Sequence, residues 1–485
     1  MPKPEWIFDR ESDWRALTAF VEDPAPRPTL GIVSGRRRQG KTYLLVSLAQ
    51  ATGGFYFAAD EAAEAESLRR FSAALAAFAG SPVQFGTWDD ALEFLLSQAT
   101  TKPVPLIIDE FPLLMKASPQ LPSILQRQLD HHWSQRSQLP ARLLLCGSAV
   151  AIMGGLLSGQ APLRGRAALE LIIKPFGYRD AARFWGLADP RLAVLVNAVV
   201  GGTPAYRRQF VRDDSPAGYA DFNAWVCRTV LNPQLPIFRE ARYLLAEDVP
   251  ARDPGLYQSV LGAIAGGNAT NGAIASYVGR RSAEIAHQLS VLEDCGLVAR
   301  NPDVFRKGRS TYEIREPLLT FYQAVARPRW TILELGEAQR AWRDAAPDYL
   351  SHVVGPRFEQ ICREWALLTP SAFADLPTEV GSGVVTDSAS NRQIQIDVAV
   401  LAAARPGEPR RVLSLGEAKW GKKLGRRHVD RLKHARDMLQ RMGYDTAQTV
   451  LACYSGAGFE GDMAVADRDD VLLIGLDGLY ADAGA

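Results

Sequence analysis

The sequence predicts a chain of several α/β and helical domains, and three observations carry that prediction. At 485 residues it exceeds what one hydrophobic core usually serves, so two or three domains are expected. Its first third alternates short apolar runs with helical segments, as an α/β domain should. Near the other end, Ile394 to Val400 and Arg411 to Trp420 form two further strand-like runs that carry charged residues, which predicts a second sheet. With 47% hydrophobic and 22% charged residues the material is ordinary globular protein, and a net charge of +1 argues against a protein that coats a polyanion.

Residues 1–175 carry the first chemical signal. The apolar run Leu30-Gly-Ile-Val33 leads into Gly35-Arg36-Arg37-Arg38-Gln39-Gly40-Lys41-Thr42, and Tyr43 to Ala49 then reads as helix. The spacing G-x-x-x-x-G-K-T between strand and helix is a phosphate-binding P-loop. Glycine lets the backbone wrap a phosphate so that successive N–H groups and the helix N-terminus point at the anion. Lys41 would reach the β and γ phosphates, Thr42 would hold Mg²⁺ through its hydroxyl, and ATP is the expected cofactor.

Two further runs support this reading. Val104-Pro-Leu-Ile-Ile-Asp109-Glu110 is a buried-strand pattern ending in two carboxylates, a Walker B tip. Asp109 is expected at the Mg²⁺ position, directly or through water, and Glu110 is placed to polarise the attacking water. Ala141-Arg-Leu-Leu-Leu-Cys-Gly-Ser148 ends in a hydroxyl where a polar sensor of the γ-phosphate would sit; Ser148 also suits an N-cap for the following segment, Ala149 to Leu157. Ala58 to Ala79 and Ser123 to Gln138 read as helices. His131 and His132 on the second point to different faces and are read as packing or solvent residues.

Residues 176–250 are helical in pattern, consistent with a lid. Five stretches then carry a family resemblance: GRRRQGKTYLL at 35–45, LIIDEFPLL at 106–114, LLCGSAVAIM at 144–153, PLRGRAALEL at 162–171 and GGTPAYRRQF at 201–210. The chain resembles the archaeal-type ATPases of the STAND branch of AAA-like P-loop ATPases over nearly its whole length. That resemblance implies that the turn Gly202-Thr-Pro204 packs on adenine, with Pro204 in contact, and that Arg166 or Arg164 acts on the γ-phosphate.

Arg252-Asp253-Pro254 marks a boundary, and residues 251–325 change character. Helices over Tyr257–Ala265, Asn271–Val278 and Ser282–Cys295 precede a hairpin of Gly296–Arg300 and Lys307–Ile314, an order that suggests a winged helix. Arg280, Arg281, Ser282, Glu284 and His287 would stand at the start of the third helix, with Arg306, Lys307 and Arg309 on the wing, which suits contact with double-stranded DNA. The competing reading is a module that packs on the ATPase and relays its nucleotide state. Residues 326–350 are expected as a helical linker.

Residues 351–485 carry the second chemical signal. Phe358 to Trp365 reads as a helix with Glu359, the strand Ile394–Val400 bears Asp397, and the strand from Arg411 ends in Glu417-Ala-Lys419. Period-two geometry puts Glu417 and Lys419 on one strand face. This resembles the PD-(D/E)xK nuclease core, a restriction-endonuclease-like α/β domain, although Ile396 stands where the pattern has proline. The resemblance implies that Asp397 and Glu417, with Glu359 as a third carboxylate, hold Mg²⁺, and that Lys419 orients the nucleophile or offsets developing charge. Between residues 405 and 441 there are twelve Lys or Arg against four Asp or Glu, an excess of eight that suits a surface tracking phosphates. Cleavage, binding without cleavage, and a purely structural role all stay open.

Five cysteines lie far apart with no C-x-x-C pair, which fits a reducing compartment and excludes a zinc ribbon. The opening segment is polar and broken by prolines, unlike a signal peptide, and no apolar run approaches the ~20 residues that cross a bilayer. A cytoplasmic protein without membrane contact is expected. Two readings of function follow. The first is an ATPase whose nucleotide state controls a DNA-directed, Mg²⁺-dependent nuclease. The second is a STAND-type signalling switch that assembles with itself or a partner and uses an inactive C-terminal domain for docking.

Overall fold

The structure is a computed structural model and describes residues 1–99, 104–134, 139–249, 253–387, 392–464 and 470–481. The chain divides into two compact units, Met1–Pro175 and Phe176–Ala485. The last four residues of the expected helix 123–138, and Arg252 of the expected boundary, lie outside the described residues.

In the first unit, five strands alternate with helices: β1 (Thr29–Ser34), β2 (Phe55–Ala58), β3 (Pro105–Asp109), β4 (Arg142–Gly147) and β5 (Ala167–Ile172). They form one parallel sheet in the order β2-β3-β4-β1-β5. Strands β1, β3 and β4 are buried along their whole length, which is why each reads as a near-continuous apolar run. Alternate residues serve opposite faces. Leu30, Ile32, Leu106, Ile108, Leu143 and Leu145 join one core, and Val33, Ile107, Leu144 and Cys146 join the other, the latter with Leu44, Leu45 and Leu48 of the helix Lys41–Thr52. Parallel pairing brings the carboxyl ends of β1, β3 and β4 to one edge, where ligands of open α/β sheets bind. The helix expected from Ala58 starts only at Glu64, because Phe55–Ala58 is taken as the edge strand beside β3.

The second unit begins with helices, among them Tyr178–Trp185, Pro190–Val200, Phe222–Arg228 and Pro236–Asp248. The helices Pro254–Ala265, Asn271–Val278 and Ser282–Asp294 then precede an antiparallel hairpin of β6 (Val298–Pro302) and β7 (Ser310–Ile314). The first of these starts three residues earlier than expected because the Asp253 side chain accepts from Leu256 N at 3.2 Å and caps it. The unit ends in a mixed sheet ordered β12-β11-β10-β9-β8, built from β8 (Glu379–Asp387), β9 (Arg392–Leu401), β10 (Val412–Lys419), β11 (Val450–Ser455) and β12 (Val471–Ile474). Strands β10, β11 and β12 run parallel, while β8, β9 and β10 alternate in direction.

The hairpin tip departs from the expected exposed wing. Val304 and Phe305 are buried and belong to the core of the mixed sheet, and Val304 N donates to Ser382 O at 3.2 Å. The Asp303 carboxylate accepts from Phe305 N at 2.9 Å, Arg306 N at 3.0 Å and Val384 N at 3.1 Å, and Arg306 bonds the Thr386 hydroxyl. Glycine on β8 makes room for this: a Cβ at Gly383 would stand 2.6 Å from the Phe305 ring. Of the three basic wing residues, Lys307 and Arg309 are exposed whereas Arg306 is drawn into the docking contact. The module packs on the C-terminal sheet through residues chosen for burial, and periodicity along the hairpin carries no sign of that.

Candidate functional site

The loop between β1 and the helix Lys41–Thr52 is shaped by two glycines. Gly40 has φ of 91° and stands at the helix N-cap. Gly35 has φ of 145°, and a Cβ there would meet Ile173 O at 2.4 Å. Between them Arg38 holds a left-handed backbone at φ 68°, and the Gln39 carbonyl accepts from Arg10 Nη2 at 3.1 Å. The Lys41 side chain is nearly buried and donates to Arg36 O at 2.9 Å, which keeps its ammonium inside the loop. Tyr43, one residue past Thr42, is half exposed, its hydroxyl 3.5 Å from Trp6 O.

Thr42 Oγ1 donates to Asp109 Oδ2 at 2.7 Å, and the Tyr56 hydroxyl donates to the same oxygen at 2.9 Å. Burial, and then the Asp109 charge, push the Tyr56 phenol well above its ordinary pKa, so it stays a donor. The other Asp109 oxygen accepts from Glu110 N at 2.9 Å. Thr42 and Asp109 thus form a hydroxyl and carboxylate pair of the kind that suits Mg²⁺, an ion that keeps several waters and shares phosphate oxygens. Glu110 itself has φ of 52° at the start of the helix Phe111–Ala117, and its carboxylate accepts from Ser148 Oγ at 3.0 Å. Ser148 is not the N-cap of the segment after it; Ala149 holds that position and makes no side-chain cap.

Arg166 requires a correction. Both of its outer nitrogen positions fork the Asp130 carboxylate at 2.9 and 2.7 Å, and Arg164 donates to Gly159 O at 2.6 Å. A guanidinium satisfied by a carboxylate from the helix Leu121–Ser134 is a structural tie, not a phosphate ligand in this arrangement. Pro204 follows a tight turn of the second unit, where a Cβ on Gly202 would overlap Phe176 O at 2.0 Å. Sequence reasoning missed Tyr56 and Arg10, because neither stands inside a motif.

In the second unit, pairing of Gly416 with Val398 sets Asp397 of β9 beside Glu417 of β10. Lys419 Nζ lies 2.9 Å from Asp397 Oδ2 and 3.1 Å from Glu417 Oε1, bridging the two carboxylates. Ala418 N also donates to Asp397 Oδ2 at 3.0 Å. Burial opposes the Lys419 charge, but Asp397 and Glu417 outweigh it and the pKa rises. Arg431, from the helix Arg426–Arg441, places Nη1 at 2.9 and 2.8 Å from the two Glu417 oxygens and Nη2 at 2.9 Å from Gln395 O. Arg363 Nη1 donates to Asp397 O at 3.1 Å. A cleft of about 280 Å³ opens beside this centre, lined by Asn301, Tyr312, Glu313, Arg357, Glu359 and Gln395. Arg431 was legible only as one member of a basic run; its fork on Glu417 needed the helix to return across the sheet.

The expected carboxylate cage for Mg²⁺ does not fit as these residues stand. Both Glu417 oxygens are engaged by Arg431, and one Asp397 oxygen is engaged by Lys419 and Ala418 N. Among the described residues no group of three His, Cys, Asp or Glu is set to hold a metal ion. The basic run is likewise partly neutralised, since Arg436 pairs Asp470 at 2.8 Å, Arg410 pairs Glu379 and Arg411 pairs Asp375. Lys422, Lys423, Arg426 and Arg427 remain exposed.

Glu359, partly buried on the helix Gly355–Leu368, is pushed up to about 7 by burial and then by the Asp397 charge. A carboxyl raised from 4.5 binds more protons folded than unfolded between those values, so its contribution to stability is full below pH 4.5 and is lost as pH rises through 7. Urea unfolding at pH 5 and pH 8 is expected to show a smaller fall in midpoint for Glu359→Gln than for wild type. An identical fall in both would remove Glu359 as its source.

No family model matches the chain. The uncharacterised protein MJECL04 of Methanocaldococcus jannaschii is 25% identical over 369 residues, covering 74% of this chain and 77% of its own length. The Walker-type ATPase PABY2304 of Pyrococcus abyssi superposes with a TM-score of 0.50 at 19% identity, covering 65% of this chain and 96% of that one. The ORC2 protein of Aeropyrum pernix aligns at 15% identity and a TM-score of 0.43, covering 71% and 97%. Among the described residues no helix is long and apolar enough to cross a membrane. The parallel sheet, its loop geometry and the likeness to the Pyrococcus protein show the fold of a P-loop ATPase.

Proposed function

We propose that this chain binds and hydrolyses ATP at the loop of residues 35–42, and that its nucleotide state governs a DNA-interacting, nuclease-like C-terminal region. The observation that carries the ATPase reading is the 2.7 Å contact of Thr42 with Asp109 at the foot of an anion-cradling loop. Loop N–H groups and Lys41 hold the β and γ phosphates. Thr42 and Asp109 would hold Mg²⁺, which supplies charge neutralisation to the phosphates when bound. Glu110 takes the proton of the attacking water, and Ser148 fixes the Glu110 carboxylate and senses the γ-phosphate. Pro204 contacts adenine from the lid, as the family resemblance implies.

Lys41→Ala tests this reading. Binding of a fluorescent ATP analogue is expected to weaken about a hundredfold, the loss of a charge-assisted contact to phosphate. Unchanged binding would remove the loop from nucleotide recognition.

In the C-terminal region, the three-helix module with its hairpin is read as a winged helix, and the gathering of Asp397, Glu417 and Lys419 beside a cleft supports a phosphodiester-handling centre. The exposed start of the helix Ser282–Asp294, with Arg280 and Arg281, suits a DNA backbone. A second reading, a STAND-type switch that docks a partner or its own copy through an inactive C-terminal domain, is favoured by one observation: Arg431 and Lys419 together saturate Glu417. Salt-sensitive DNA binding by the full chain would count against that second reading.

A further inference from the structure

Glu417 is the most enclosed carboxylate of the C-terminal centre, its side chain 1% exposed, and both of its oxygens are taken by Arg431 at 2.8 and 2.9 Å. A divalent cation needs the same oxygen lone pairs, so a cation and the Arg431 guanidinium are alternatives at Glu417. Arg431 is 39% exposed and lies one turn beyond the exposed basic start of its helix, where Arg426 and Arg427 stand. A guanidinium grips a phosphodiester with the same two-pronged geometry that it uses on a carboxylate.

We propose that Arg431 is a gate operated by substrate: its fork on Glu417 keeps a divalent cation out of the free protein, and a nucleic-acid phosphate arriving at the basic helix start draws the fork away and frees Glu417 for the cation. Lys419 stays between Asp397 and Glu417 throughout, so the buried carboxylate keeps a partner when the fork leaves. Linkage follows, in which nucleic acid tightens cation binding and the cation tightens nucleic-acid binding by the same factor. The inference rests on the nuclease-like reading of this region.

The test uses the full chain without nucleotide and with Thr42→Ala, so that the phosphate loop does not report, and titrates Mn²⁺ while following the free ion by electron paramagnetic resonance. A short DNA duplex is expected to tighten Mn²⁺ binding about tenfold, within the usual range of coupling between sites. Arg431→Gln is expected to bind Mn²⁺ about tenfold more tightly without DNA and to gain nothing further from the duplex. Should Arg431→Gln fail to fold by circular dichroism, Arg431→Lys, which keeps the charge and loses the fork, carries the comparison. Equal Mn²⁺ affinity with and without duplex, or in wild type and the Arg431 variant, overturns the gate. A rise of equal size with sodium sulfate at matched ionic strength overturns nucleic acid as its agent. Adding Asp397→Asn separates the two levels: if the Arg431 variant binds Mn²⁺ equally well without the Asp397 carboxylate, the cation sits elsewhere and the nuclease-like reading itself fails.

Discussion

Glu110→Gln is expected to bind ATP with near wild-type affinity and to turn it over at about a hundredth of the wild-type rate or less, the usual loss when a general base is removed. The geometry explains the separation. Glu110 makes no printed contact with the phosphate loop's lysine or threonine; its side chain faces Ser148 across the carboxyl edge of β3 and β4, while Asp109, one residue earlier, bonds Thr42. Glutamine keeps the size and an acceptor for the Ser148 hydroxyl but cannot take a proton from water. Phosphate release and analogue binding, measured on the same preparation, check the prediction. Turnover unchanged by the substitution would take Glu110 out of its assigned role, and loss of binding together with turnover would make it structural.

Asp397→Ala is expected to abolish nicking of supercoiled plasmid in Mg²⁺ or Mn²⁺, to below about a hundredth of the wild-type rate. Asp397 is almost fully buried and receives both Ala418 N and the Lys419 ammonium. Its removal leaves Lys419 to Glu417 alone and dissolves the paired-carboxylate arrangement. Because alanine also orphans a buried N–H, Asp397→Asn is the necessary companion: the amide oxygen still accepts from Ala418 N, but the negative charge is gone. Nicking equal in wild type and both variants, or absent from wild type, would sink the nuclease reading and favour the docking reading.

The phosphate loop was legible because its chemistry is local. Gly35, Gly40, Lys41 and Thr42 lie within eight residues, and the demands of the turn and of the helix start are written in the residue types themselves. Buried parallel strands likewise announce themselves as apolar runs, which located Asp109, Glu110 and Ser148 at strand ends. Edge strand β2 did not, since only four residues long and beside an Ala-rich stretch it competes poorly with a helical pattern, and Tyr56 went with it.

Period-two alternation by itself put Glu417 and Lys419 on one strand face, and the sequence alone therefore determined the loop, the strand-end carboxylates and that pair. Only the tertiary structure decided who neutralises them. Arg166 belongs to Asp130, the hairpin tip belongs to the C-terminal sheet, and Arg431 belongs to Glu417, each partner lying 14 to 80 residues away in the chain. The reason is physical: backbone conformation and burial are set by neighbours in sequence, whereas a charge seeks whichever opposite charge the fold brings within hydrogen-bond reach, and that distance exists only after the chain has folded.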